Sequence, residues 1–227
     1  MNARYLLALA LLAFAPAGFT LQANATLELT GVGTGTVADG VYVSPYVGNV
    51  NYGATYSGYM ICDDFTTESY LNTPWTATVT NAGALGGPVK FTSDVLFGGN
   101  LYSAQQAYNA AAWLANGLLS PGVLGNPVNQ TNYAFAIWNI FDGQTTDPSG
   151  GALGMEKAAF NAVVNGGYVG NNVSVYTPTT WSQSQEFLVV NKVTAPEIDP
   201  TSAASSLTLL LGALAVVRGR TKRATVA

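Results

Sequence analysis

The sequence predicts an α+β body, β-rich in its first half and with about three helices in its second, flanked at each end by a segment of different character. Hydrophobic residues make up 48% of the 227-residue chain and charged residues only 9%, the balance of a packed domain rather than a disordered one. Up to about Lys90, short β-branched and aromatic runs alternate with glycine-rich turns, the pattern of strands. Beyond Ser103 the apolar period lengthens to that of helices. No repeat of fixed period is visible, so the body reads as one irregular domain.

At the start, Arg4 precedes the apolar run Tyr5 to Ala15, and Ala23-Asn24-Ala25 supplies the small-x-small pattern that a signal peptidase accepts. Residues 1–25 are therefore expected to be a signal peptide, cut after Ala25 with Ala23 and Ala25 read by the peptidase. An N-terminal anchor is the alternative, for which the apolar run is short. The body follows as residues 26–193. Val41-Tyr42-Val43, Tyr56 to Cys62 and Trp75 to Thr80 are its strand candidates, while Thr30 to Gly40 and Ala82 to Pro88 read as loops.

Helical spacing then takes over. Ala107, Ala110, Ala111 and Leu114 share one face, Ser103 and Gln106 are spaced as a capping box, and Gly117 is a stop signal, which together predict a helix from Ser103 to Asn116. Tyr133, Ile137, Trp138 and Phe141 stripe a second helix ending near Asp142, ahead of Gly143. Met155, Ala159, Phe160 and Val163 stripe a third, terminated by Asn165-Gly166-Gly167. Val173 to Tyr176 and Phe187 to Asn191 return to strand character.

Residues 194–227 hold three features in order: Pro196-Glu197-Ile198-Asp199-Pro200, an apolar stretch from Ala203 to Val217, and the basic cluster Arg218, Arg220, Lys222 and Arg223. At about 1.5 Å per residue a helix over that stretch reaches roughly 22 Å, a short transmembrane helix against a hydrocarbon core of ~30 Å. The basic cluster favours the cytoplasmic side, which leaves the body outside, as the signal peptide also requires. A Pro-punctuated acidic motif, a weak span and an arginine cluster in this order resemble the PEP-CTERM sorting signal of Gram-negative bacteria that make extracellular polysaccharide. The resemblance covers Pro196 to Arg223, with Ile198 standing where the third motif residue is usually proline. It implies an exosortase-type membrane protease as partner, with Pro196, Glu197, Asp199 and Pro200 as the sorting motif. It also implies transient anchoring in the inner membrane, then delivery to the cell surface, extracellular matrix or biofilm. An ordinary C-terminal anchor is the alternative.

Charge narrows the partners. Only Lys90, Lys157 and Lys192 are basic in the body, against ten acidic residues from Glu28 to Glu186, a net charge of about −7. Such a body repels nucleic acid and anionic lipid. The chain has no histidine, which excludes a histidine-assisted nucleophile. Asp63 and Asp64 are adjacent, so on a strand they point to opposite faces and cannot share a proton. They could offer oxygens to Ca²⁺ with Asp142 or Asp147, but no loop has the spacing of a calcium motif, and no metal or cofactor is implied.

Cys62 is the only cysteine, so no intramolecular disulfide forms. After Tyr59-Met60-Ile61 it reads either as a small buried hydrophobe or as a reactive thiol. The run ending in Cys62-Asp63-Asp64-Phe65, with Ala136-Ile137-Trp138 far downstream, resembles the thioester domains of bacterial surface adhesins. There a cysteine bonds a glutamine two residues before the Ala-Ile-Trp triplet and the ester captures amines. Here that position is Ala134, and Gln130 lies one turn earlier.

The eleven tyrosines and four tryptophans of the body suit either a packed core or a surface that stacks on sugar rings. Trp113 and Trp138 lie on helical faces, while Tyr42, Tyr46, Tyr52 and Tyr56 fall in the turn-rich half. The expectation is an exported, noncatalytic structural or adhesive protein. A thioester-type covalent adhesin using Cys62 is the first alternative, and a polysaccharide-acting enzyme the second.

Overall fold

The computed structural model describes residues 24–52, 54–143 and 147–191, of which 52 and 54–56 as backbone only. In chain order its elements are β1 (Asn24–Gly31), β2 (Val37–Ala38), β3 (Val41–Tyr42), β4 (Tyr46–Tyr52), β5 (Ala54–Cys62), β6 (Trp75–Asn81), β7 (Val95–Phe97) and β8 (Asn100–Tyr102), then α1 (Ala104–Leu118), α2 (Pro127–Asp142) and α3 (Ala152–Val164), and finally β9 (Val173–Pro178) and β10 (Phe187–Val190). All of them belong to one unit, which ends at Val190.

The β half is more regular than the sequence suggests. Six strands close into a barrel in the order β1-β4-β5-β10-β9-β6, every pair antiparallel. Closure removes free sheet edges, and a barrel this narrow is filled by side chains. In β1 burial alternates strictly, with Ala25, Leu27 and Leu29 facing the core. Gly48 of β4 sits so close to β1 that a Cβ there would lie 2.5 Å from the Glu28 carbonyl oxygen. The last two strands reach their partners only by folding back from the far end of the chain, which explains why β9 and β10 lie apart from the other strands in sequence.

Strands β1 and β4 were not predicted. Leu27, Leu29, Val47 and Val50 are spaced among Thr, Gly and Asn, so the apolar signal is sparse, and pairing between the two strands supplies the order instead. Asn24 and Ala25 are part of β1, with Ala25 buried and opposite Ala77. The strand therefore begins upstream of the expected signal cut. The stretch expected to be a loop from Thr30 to Gly40 contains β2, which turns into β3 through Asp39 and Gly40, both at positive φ. An Asp-Gly pair with this geometry is the two-residue turn that matches strand twist.

The helices follow the expected periods. Ser103 caps α1 in a full capping box with Gln106, while Asn126 and Pro127 start α2 and Gly143, at φ 62°, ends it. Gly117 does not stop α1, which runs on to Leu118. Its hydrogen side chain serves packing instead, because a Cβ there would lie 2.3 Å from the Tyr133 ring of α2. The alanine face of α1 is wholly buried, letting the three helices pack closely together and α1 pack against β10. Trp113 is partly buried against the core and Trp138 is 4% exposed.

Among the described residues no helix is long and apolar enough to cross a membrane. The expected signal peptide up to Ala23, the sorting motif at Pro196, Glu197, Asp199 and Pro200, the apolar stretch and the basic tail at Arg218, Arg220, Lys222 and Arg223 lie outside the described residues.

Candidate functional site at the end of β5

Cys62 ends β5, and its neighbours are set by strand register. β10 pairs with β5 through Phe187↔Cys62 and Leu188↔Ile61. One step further along the same ladder, the Asp63 N–H donates to the Glu186 carbonyl at 3.3 Å, so Asp63 and Glu186 stand opposite each other. Directly opposed residues bring their Cβ atoms within about 5 Å, where two like charges repel. Both carboxyls are fully buried.

The donors around the pair are unevenly divided. Glu186 accepts from the Tyr108 hydroxyl on one oxygen, and from the Thr177 hydroxyl and the Lys90 N–H, the latter at 2.8 Å, on the other. Asp63 receives no donor from the rest of the described residues; its interaction is with Glu186. Three donors stabilise an anion on Glu186, which makes Asp63 the carboxyl favoured to hold a proton. Burial, then the charges of Glu186 and Asp64, hold the Asp63 carboxyl well above the usual carboxylate range. Burial also raises Glu186, against the lowering effect of its hydrogen bonds.

Asp64 is separate from this pair, as the alternation of strand faces requires. It is fully buried and forms an ion pair with Lys90, whose ammonium also donates to Thr67 Oγ1 at 2.8 Å. Asp142 accepts from the Phe65 N–H at 2.9 Å; burial raises its carboxyl, partly offset by that bond. Asp147 accepts from the Ser149 and Ala152 N–H groups near the start of α3. Burial acts to raise it, and the hydrogen bonds prevail and lower it. Among the described residues no group of three or more acids or thiols is arranged to hold a metal ion.

The Cys62 thiol is 6% exposed and donates to the Asp64 carbonyl at 3.1 Å, while the Cys62 carbonyl accepts from the Trp138 indole at 3.0 Å. Burial, followed by the Asp63 charge, pushes the thiol well up, opposite to what a nucleophilic cysteine needs. Ala134 and Cys62 line the same narrow cavity, so the position that the thioester resemblance assigns to glutamine shares the cavity of Cys62 and holds a methyl group. Gln130 is buried one turn away and fully engaged. Its Oε1 accepts from Thr36 at 2.6 Å and its Nε2 donates to Thr34 at 3.1 Å, which ties the base of the β2–β3 hairpin to α2.

Sequence reasoning singled out Cys62, Asp63 and Asp64 but missed Glu186, Tyr108, Thr177 and Lys90. One signal was present: Glu186 adjoins the apolar run Phe187 to Val190 just as Asp63 adjoins Tyr59 to Cys62. Acids bordering two core strands can meet when those strands pair antiparallel.

Fold and site together define a six-stranded barrel backed by three helices, with a buried carboxyl pair and a buried thiol where β5 meets β10. No protein-family model and no curated protein matches the chain. Solved structures similar to it include the N-terminal thioester domain of a surface protein from Clostridium perfringens, with 10% identity over 74% of this chain and 98% of that one and a TM-score of 0.40. Another is the N-terminal thioester domain of fibronectin-binding protein SfbI from Streptococcus pyogenes, with 11% identity, 78% and 97% coverage and a TM-score of 0.41. The N-terminal domain of the Streptococcus pyogenes pilus tip adhesin Cpa is similar at 11% identity, 77% and 96% coverage and a TM-score of 0.43.

Proposed function

We propose that the chain is an exported, noncatalytic protein of the cell surface or extracellular matrix, with a structural or adhesive body delivered by its C-terminal segment. Signal peptidase and an exosortase-type membrane protease are its processing partners. What supports a noncatalytic body is the state of the groups that chemistry would need. Cys62 is buried beside Ala134, Gln130 is held by Thr34 and Thr36, Asp63 and Glu186 are locked together, and Asp64 is neutralised by Lys90. None of these groups is left as an accessible nucleophile or general base.

Terminal mapping and intact mass of the protein recovered from the cell surface test the reading, with a Pro196→Ala, Glu197→Ala double variant alongside. The native protein should have lost its first residues and end near Pro196, while the variant keeps its tail through Arg223. Retention of the tail by both would make it a plain anchor. In the same sample the thiol should react with a thiol reagent only after unfolding, and the body should have its full mass. A body lighter by one ammonia, with the thiol blocked even in denaturant, would establish a Cys62–glutamine thioester and replace the noncovalent reading.

A further inference from the structure

Beside Cys62 the surface opens into a cleft of about 410 Å³, within the range of small-ligand sites. Its walls come from elements distant in sequence. The β2–β3 hairpin contributes Tyr42, β4 contributes Tyr46, α2 contributes Trp138, and the segment after β5 contributes Phe65 and Glu68, with Gln185 from the approach to β10. Tyr42 is 44% exposed and Phe65 38%, so two aromatic rings are partly open to solvent.

Both rings are backed by others. Tyr46 meets Tyr42 edge-on at 6.5 Å and Phe187 at 5.8 Å, and Phe65 lies 5.1 Å from Trp138. The polar rim is similarly braced. The Gln185 side chain donates to the Asp64 carbonyl at 2.7 Å, and Ser69 Oγ accepts from the Gln185 N–H at 2.9 Å. The hairpin wall is held in turn by Gln130 through Thr34 and Thr36. Little order remains to be gained on binding, which lowers the entropic cost of capturing a ligand.

The chemistry of this lining selects a class. Aromatic faces accept the apolar C–H face of a pyranose ring, while carboxylate, amide and hydroxyl groups at the rim accept and donate to its hydroxyls. Glu68 is the one charged residue in the lining and no basic residue joins it; with the acidic body around it, the cleft disfavours anionic polymers. We infer that this cleft is a binding site for a neutral polysaccharide, with Tyr42 and Phe65 as stacking platforms and Glu68 and Gln185 as hydroxyl partners. The inference rests on the adhesive reading above and gives it a ligand class.

Native electrophoresis of the mature protein through gels containing dextran, hydroxyethylcellulose or polygalacturonate tests it. At least one of the two neutral polymers should retard the protein and polygalacturonate should not. Tyr42→Ala and Phe65→Ala should each weaken retardation about tenfold, the loss expected for one aromatic contact, measured on variants that circular dichroism shows to be folded. Glu68→Lys should admit polygalacturonate. Absence of retardation by both neutral polymers, equal retardation by the acidic one, or undiminished retardation of folded Tyr42→Ala and Phe65→Ala would overturn the assignment. Retention on immobilised denatured collagen that depends on the same two residues, without glycan retardation, would assign the cleft to polypeptide. Such a result would end the glycan inference and leave the adhesive function standing, whereas terminal mapping tests surface delivery independently.

Discussion

Replacing Glu186 with alanine should cost about 3–5 kcal/mol of folding stability, the range for removing one partner from a buried charged network. The loss should appear as a lower midpoint of urea unfolding with little change in slope. Glu186 takes the Tyr108 and Thr177 hydroxyls and the Lys90 N–H, and it stands opposite Asp63 across the β5–β10 ladder. Alanine leaves these donors in the interior without their acceptor and opens a void beside fully buried Tyr108 and Phe187. Glutamine keeps the volume and one acceptor oxygen, and its NH₂ can donate to a hydroxyl, so Glu186→Gln should lose only about 1–2 kcal/mol. An alanine variant within about 1 kcal/mol of the native protein would show that the donors find other partners and that the network does not hold β5 to β10.

Separation along the chain decides how much of this could be read in the sequence. Periodicity located the first and third helices and the end of the second to within a few residues, because their signals lie within about one turn of each other: Ser103 with Gln106, Ile137 with Phe141, Ala159 with Val163. It located β5, β6, β9 and β10 through their β-branched and aromatic runs. It could not show that β1 joins β6 or that β10 joins β5, because those pairings connect residues far apart in the chain. The carboxyl pair was hidden for the same reason. Asp63 and Glu186 are neighbours only through the register of two strands that all three helices separate in the chain. Strand alternation already excluded Asp64, next in sequence, as the partner of Asp63, but nothing local pointed to Glu186. The cleft was half visible: Tyr42 and Tyr46 stood out as aromatics in a turn-rich region, while Phe65, Glu68 and Gln185 carry no local pattern and are assembled by closure of the barrel.

The second large effect concerns pH, and it follows from where the shared proton resides. Asp63 has its carboxyl raised by burial and by Glu186, whereas in the unfolded chain it titrates near its ordinary value of about 3.9. Below that value both states are protonated, and the buried pair carries no ionisation penalty. As pH rises the unfolded chain ionises first, so stability falls by up to ~1.4 kcal/mol per pH unit until Asp63 itself ionises in the folded protein. Glu186, also raised, contributes with the same sign.

Asp63→Asn keeps the volume, but it has no proton to lose. The variant should therefore gain stability over the native protein progressively as pH increases from 4 toward 8, with little advantage at the acid end. Asp142, Asp147 and Glu156 also depart from their ordinary values, the first and last upward and Asp147 downward. They are present in both proteins and largely cancel in the difference. Urea unfolding of the two at a series of pH values measures that difference directly. Parallel curves would mean that Asp63 is ionised in the folded protein at neutral pH, and the assignment of the proton to Asp63 would fail. Diverging curves would locate an ionisation cost at the junction of β5 and β10, the seam that closes the barrel and forms one wall of the cleft, so that a more acidic surrounding strengthens the surface the protein presents.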